Sequence, residues 1–250
     1  MAIRSKRLRS SFIGMVLLGY GGLCVAQVSE SICGELANAF GPYDYRSDHY
    51  KQPPGDQMPL SVKKPLVEGA HFTRRVETLV GNQSAGQVGP AGPDLDYTLR
   101  AFPNHPRALI SVMRYGEKYN SETPPGLRYI VECYFERAIR FQPDDVMARM
   151  IYAEFLKRKN RAPEAARQLE QVENLADQGF TFYNVGMLYF DLKMYEASAR
   201  ALQQAISLGF ERPGLDGKLK GVGAWPPAPA GPASTASASS AASAASEPPQ

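Results

Sequence analysis

The chain reads as an all-α protein, a solenoid of about three helical hairpins with capping helices, an irregular N-terminal segment and a disordered C-terminal tail. Three observations in its 250 residues predict this. Between Ala148 and Phe210, apolar residues recur at three- and four-residue steps, as amphipathic helices require. The helices so marked are short, roughly three to four turns, and a helix of that length buries its single apolar stripe only against neighbours. Finally, the stretch beginning at Ala153 repeats itself from Gly186, at a spacing of 33 residues.

Residues 1–26, MAIRSKRLRSSFIGMVLLGYGGLCVA, place Arg4, Lys6, Arg7 and Arg9 ahead of an apolar run and close on Cys24-Val25-Ala26. That order is the order of a secretory signal peptide, with cleavage expected after Ala26 and a periplasmic destination. The apolar run is short for a bilayer span, which needs about 20 residues. An N-terminal membrane anchor is the alternative, and no membrane span is expected after the signal. The whole chain carries +3, four of its positive charges lie in residues 1–26 with no negative ones, and the remainder is therefore −1. With no basic cluster left, nucleic acid is not an expected partner.

Residues 27–92 form the irregular segment. One helix is expected at Ser31–Phe40, with Ile32, Leu36 and Phe40 on a stripe, stopped by Gly41-Pro42. Another is expected at about Phe72–Val80, with Phe72, Val76 and Leu79 inward. The intervening YDYRSDHYKQPPGDQMP is rich in turn residues, and GNQSAGQVGPAGP reads as a linker. So irregular a segment is expected to pack on the repeats. Cys33 and Cys133 remain once Cys24 leaves with the signal. In an oxidising compartment such a pair predicts a disulfide, with two buried thiols as the alternative.

Residues 93–225 form the helical region. A capping helix at about 93–101 starts near Asp94, whose carboxylate would face free N–H groups. The first hairpin pairs about 106–119 with 126–141, and Ser121–Gly126 is an insertion in its turn. The breaks at Lys159-Asn160-Arg161, Asp177-Gln178-Gly179, Lys193-Met194 and Gly209 divide two further hairpins. A closing helix spans Pro213–Lys220, with Leu215 and Leu219 four apart and Trp225 folded over it. Residues 226–250 are almost wholly Ala, Ser and Pro, offer nothing large to bury, and are expected to be disordered.

Aligning the two later hairpins sets Gly186 on Ala153, Tyr189 on Leu156, Ser198 on Ala165, Leu202 on Leu169 and Ala205 on Val172. Small residues let two helices approach and large ones fill the seam. The pattern resembles the tetratricopeptide repeat, and Thr98–His105 stands to Pro103 as Ala138–Asp145 stands to Pro143. The phrases CGELANAFGPYDYR, VEGAHFTRRVE, DLDYTLRAFPNHPRAL, VECYFERAIRFQPDD and GLDGKLKGVGAW are similar to a family of secreted bacterial tetratricopeptide proteins of unassigned activity. Some members carry an ABC-transporter permease name, which this sequence contradicts because no apolar span follows the signal.

His49, His71 and His105 lie at no metal-ligand spacing, and neither a nucleophile elbow nor a phosphate-binding glycine loop occurs. Asp94 and Asp96 read as a helix start and His105 as a turn residue. No catalytic residue, metal or cofactor is expected. The resemblance implies a concave face lined by the first helix of each hairpin. Its candidate residues are Arg114, Lys118, Glu154, Lys157, Arg158, Tyr183, Asn184 and Met187, a mixture suited to a protein or peptide partner in the cell envelope. The expected function is a non-catalytic envelope adaptor. The alternative is an accessory subunit of polysaccharide or lipid export, with Tyr43, Tyr45 and Tyr50 meeting glycan.

Overall fold

The structure, a computed structural model, describes residues 32–46, 58–81, 83–84 and 87–225. Residues 1–26, expected to be a signal peptide, residues 226–250, expected to be a disordered tail, and His49 and Tyr50 lie outside the described residues. The protein is helical, and residues up to Pro143 and from Asp144 onward form two compact units. That division falls inside the stretch the sequence reads as one helical region. Among the described residues no helix is long and apolar enough to cross a membrane.

In the first unit, α1 spans Leu60–His71 and α2 spans Arg74–Glu77. The sequence did not reveal α1, because Pro65 lies inside it and proline there removes a helical hydrogen bond. The helix is held by what it packs against: Val67 is buried, and buried Lys63 lies 4.1 Å from the Tyr43 ring centroid. Helix α2 is shorter than the expected 72–80, since Leu79 turns to a φ of 61° and ends it. Phe72 and Val76 do point inward. The helix expected at Ser31–Phe40 is corrected more severely. Ser31 is not described, only Ile32 and Cys33 are helical, and Gly34 leaves the helical region at φ 66°. A two-residue ladder follows α2, β1 (Gln83–Ser84) pairing antiparallel with β2 (Gln87–Val88).

Helices α3 (Gly92–Ala101), α4 (Pro106–Tyr119) and α5 (Val131–Phe141) complete the unit. Asp94 does lie in the first turn of α3, as expected, but Ala91 and not Asp94 stands at the cap and makes no side-chain bond there. At the next helix His105 does cap, its Nδ1 accepting the Ala108 N–H at 3.4 Å. Helix α5 starts at Val131, later than the expected 126. Residues 121–130 instead fold back beneath α3, where the Tyr115 hydroxyl donates to the Pro125 carbonyl at 2.9 Å. The disulfide Cys33–Cys133 forms and ties the N-terminal segment to α5.

The second unit contains α6 (Val146–Arg158), α7 (Ala162–Leu175), α8 (Gly179–Asp191), α9 (Tyr195–Ser207) and α10 (Leu215–Gly221). Helices α6 and α8 begin and end 33 residues apart, and α7 and α9 begin 33 apart. The turns match as well. Asn160 and Lys193 both take left-handed φ values, 58° and 62°. Arg161 and Met194 each donate to a carbonyl five residues back, Leu156 and Tyr189, both at 2.9 Å. Every position aligned between the hairpins is buried. Ser198 fits its small-residue position because its hydroxyl donates to the Gly186 carbonyl at 2.7 Å. Leu215 and Leu219 of α10 are buried against α8 and α9, with Trp225 packed on the cluster.

Candidate functional site

In the second unit the predicted face falls on α6 and α8, and its charged members form one network. Lys157 Nζ lies 2.6 Å from Glu154 Oε2 and 2.8 Å from Asp191 Oδ2. Arg158 Nε donates to Glu154 Oε1 at 2.7 Å. Burial alone would lower the Lys157 pKa, but hydrogen bonds to Asp191 and Glu154 hold it above its ordinary value. The network joins α6 to α8 and leaves Arg158 exposed. Such partly exposed pairs contribute little to stability, on the order of 0.5 kcal/mol each. Their use is to fix the position of charge.

The remaining predicted residues of this unit are less open. Tyr183 is buried, its ring 5.5 Å from that of Phe210 and its hydroxyl donating to the Pro213 carbonyl at 3.4 Å. Asn184 donates to the Phe180 carbonyl one turn earlier at 3.0 Å. Met187 is partly buried against the cluster that includes Leu215 and Leu219. Arg114 and Lys118 belong to the first unit, where Arg114 is exposed on α4 and Lys118 Nζ donates to the Leu79 carbonyl at 2.7 Å.

A second polar cluster lies in the first unit, around a residue read from the sequence as a turn. His105 is fully buried, sandwiched between Tyr45, stacked at 4.1 Å, and Phe72, edge-on at 4.6 Å. Its Nε2 lies 3.1 Å from Glu68 Oε1. Because Nδ1 already accepts the Ala108 N–H, Nε2 carries the proton and donates. The same carboxylate oxygen accepts from the Tyr45 hydroxyl at 2.7 Å and from Arg107 at 3.0 Å. These donors, His105 foremost, hold the Glu68 pKa down at about 2. Burial pushes the imidazole of His105 below its ordinary value, against the pull of Glu68. The Tyr45 phenol is raised by burial and by that carboxylate.

The two aspartates beside this cluster are equally engaged. Asp94 Oδ1 lies 2.8 Å from His71 Nδ1, and His71 stacks on Tyr97 at 4.0 Å. Buried Asp96 accepts from the Tyr134 hydroxyl at 2.7 Å, from Arg100 Nε at 2.8 Å and from the Arg128 N–H at 3.3 Å. Burial and the Asp96 charge raise the Tyr134 pKa. Each group is satisfied by a structural partner, so the cluster acts as a latch between the N-terminal segment and α3–α5. Among the described residues no three His, Cys, Asp or Glu side chains gather to hold a metal ion. The sequence did contain one signal of the latch: His105 aligns with Asp145, which caps its own helix by accepting the Ala148 N–H at 2.9 Å.

No protein-family model, curated protein or solved structure matches this chain.

Proposed function

We propose that this chain is a non-catalytic adaptor of the cell envelope, built on tetratricopeptide-type hairpins, that binds a protein or peptide partner along the first helices of those hairpins. The observation that carries the reading is the common 33-residue register of α6–α7 and α8–α9, in helix bounds, turn conformation and burial. A hairpin repeated in this way presents its first helices side by side as a recognition face. On that face Lys157, Arg158 and Glu154 supply fixed charge, while Met187 and Asn184 supply adaptable area. The signal-like N-terminus and the disulfide support an oxidising compartment.

The glycan reading has less behind it. Tyr43 is buried, and Tyr45 stacks on His105 and donates to Glu68, so neither ring is presented to a ligand. The adaptor reading is tested by capture from native envelope extracts with the mature chain, comparing it with Lys157→Ala, Arg158→Ala and Asn184→Ala combined, all in the second unit. Partner recovery should fall by about tenfold or more. Recovery equal to that of the unaltered chain rejects the groove.

A further inference from the structure

In the first unit, the joint between α3 and α4 (Phe102–His105) is roofed by the chain itself. The Tyr43 N–H donates to the carbonyl of Ala101, the last residue of α3, at 2.8 Å. The Tyr45 N–H donates to Asn104 Oδ1 at 2.9 Å, and Asn104 Nδ2 donates to Asp44 Oδ1 at 2.7 Å. Alternate backbone N–H groups therefore hold residues 43–45 just ahead of a turn at Tyr45–Arg46, with the Tyr43 and Tyr45 rings 5.7 and 5.9 Å from Phe102. Arg107, the second residue of α4, is engaged by Glu68 of α1 and Glu77 of α2.

The second unit contains the corresponding helix-to-helix joint between α7 and α8 (Ala176–Gln178), one residue shorter and without a side-chain cap. Its equivalent positions are open and apolar. Leu175, the last residue of α7, is 43% exposed, and Phe180, the second residue of α8, is 47% exposed. Leu208, just past α9, is 44% exposed and lies beside the same helix start, where a Cβ on Gly179 would come within 3.3 Å of it. Large apolar side chains left exposed at the two helix ends flanking one joint are the kind of surface a partner covers.

One substitution specifies the chemistry of the occupant. Asn104, two residues before α4, corresponds to Asp177, two residues before α8 and exposed. Asn104 both accepts from the covering backbone and donates to Asp44, whereas an ionised aspartate only accepts. A segment lying on this joint as residues 41–46 lie on theirs meets a carboxylate at the point where Asp44 meets an amide donor. Glu211, exposed next to Phe210, adds a second carboxylate, while Arg212 is turned over the Tyr183 ring at 5.7 Å.

We infer that the α7–α8 joint docks a short segment of another protein in which large apolar side chains alternate with Lys or Arg. Backbone bonds to the joint fix the segment, and the alternation sends apolar groups to Leu175, Phe180 and Leu208 and cations to Asp177. Docking here does not depend on the function of the charged α6–α8 face, which Phe180 adjoins one turn before Asn184.

The test uses two labelled peptides and the full chain: Phe-Gly-Pro-Tyr-Asp-Tyr-Arg, the chain's own residues 40–46, and the same peptide with lysine in place of the aspartate. Fluorescence anisotropy should show the lysine peptide binding about tenfold tighter. Phe180→Ser and Leu175→Ser should each weaken it by a similar factor. Asp177→Asn, which restores the amide, should bring the two peptides to comparable affinity. No saturable binding, equal binding of both peptides, or affinity indifferent to Phe180 and Asp177 overturns the inference. So does sedimentation showing that the full chain self-associates through this surface and that Phe180→Ser releases it, which would make a second copy the occupant.

Discussion

Arg137 donates through Nη1 to the backbone carbonyl of Cys33 at 3.0 Å, and Cys33 is bonded to Cys133, one turn earlier on the same helix. The same nitrogen reaches the carbonyl of Glu35 at 2.7 Å and that of Gly34 at 3.4 Å, while Arg140 Nη2 donates to Gly34 at 2.7 Å. The Arg137 guanidinium lies 4.6 Å from the Tyr129 ring centroid and is 1% exposed, and burial lowers its pKa. Among the described residues no carboxylate lies within ion-pair distance of this buried cation, which is balanced by carbonyl dipoles, a ring face and the more distant Asp96 charge. Arg137→Met leaves those carbonyls without their donor and is expected to cost about 2–4 kcal/mol. Arg137→Lys should recover only part, because an ammonium lacks the planar fork. Urea midpoints of the three proteins check this, and an unshifted midpoint for Arg137→Met would refute it.

The disulfide and the arginines hold the same backbone, so their contributions should overlap. Closing a loop of 100 residues stabilises by up to about 4–5 kcal/mol on the chain-entropy model. With Cys33→Ser and Cys133→Ser combined, Arg137 and Arg140 still tether residues 33–35, and the loss should stay below that bound. Adding Arg137→Met should then cost more than it does in the bridged protein, a coupling readable in a double-mutant cycle. Simple additivity would show that the two tethers are independent. Intact-mass measurement after alkylation without reduction should find Cys33 and Cys133 unmodified.

Acid should loosen the first unit through Glu68 and His105. Glu68 has a folded pKa of about 2, below its ordinary 4.5. Its stabilisation is therefore present above about pH 4.5 and is lost as pH falls toward 2. The shift corresponds to about 3 kcal/mol at most, reduced toward ~1–2 because the carboxylate is partly exposed. His105 is lowered from 6.5, so the unfolded chain takes up its proton first and stability also declines as pH drops below that value. Glu68→Gln should lower stability at neutral pH and flatten the pH profile between about 4.5 and 2. An unchanged slope in that window would remove Glu68 from the acid response.

What was legible in the sequence, and what was not, follows from where the determining contacts lie. Helix α4 and the helices of the second unit announce themselves because their apolar period and their turns are local, and Leu215 and Leu219 likewise. Helix α1 was hidden by Pro65, and the run after Gly34 passed for a helix, because both are settled by partners far along the chain: Tyr43, Ala101 and Arg137. The role of His105 was hidden for the same reason, since Glu68 lies 37 residues away. Of the candidate face, the sequence placed Lys157 and Arg158 on α6, but the burial of Tyr183 depends on Phe210 and Pro213 beyond its own hairpin.

Gly92 opens α3 under the insertion loop, and a Cβ there would sit 1.9 Å from the Pro125 carbonyl oxygen. Backbone on both sides leaves no flexible side chain to yield, so Gly92→Ala must push the loop off α3. The expected cost is about 2–3 kcal/mol, despite the better helix propensity of alanine. The Tyr115 hydroxyl, bonded to that same carbonyl, should report the displacement as a change in near-ultraviolet circular dichroism. A variant as stable as the parent, with unchanged tyrosine signal, would show that the loop is not packed this way.

The hairpin turns offer the sharpest test of the repeat itself. Asn120, Asn160 and Lys193 each occupy the left-handed region at the end of a first helix, with φ values of 45°, 58° and 62°. Asparagine tolerates that region because its short side chain bonds locally, whereas lysine bears the steric cost of its Cβ. Lys193 therefore stands at an asparagine position, and its side chain is exposed enough to be replaced without repacking. Lys193→Asn is expected to stabilise the second unit by about 0.5–1 kcal/mol, and Asn160→Lys to destabilise it by a similar amount. Thermal unfolding of both variants decides the matter. If the two changes have the same sign, the turns are not equivalent, and the register shared by α6–α7 and α8–α9 does not extend to the energetics of the turns.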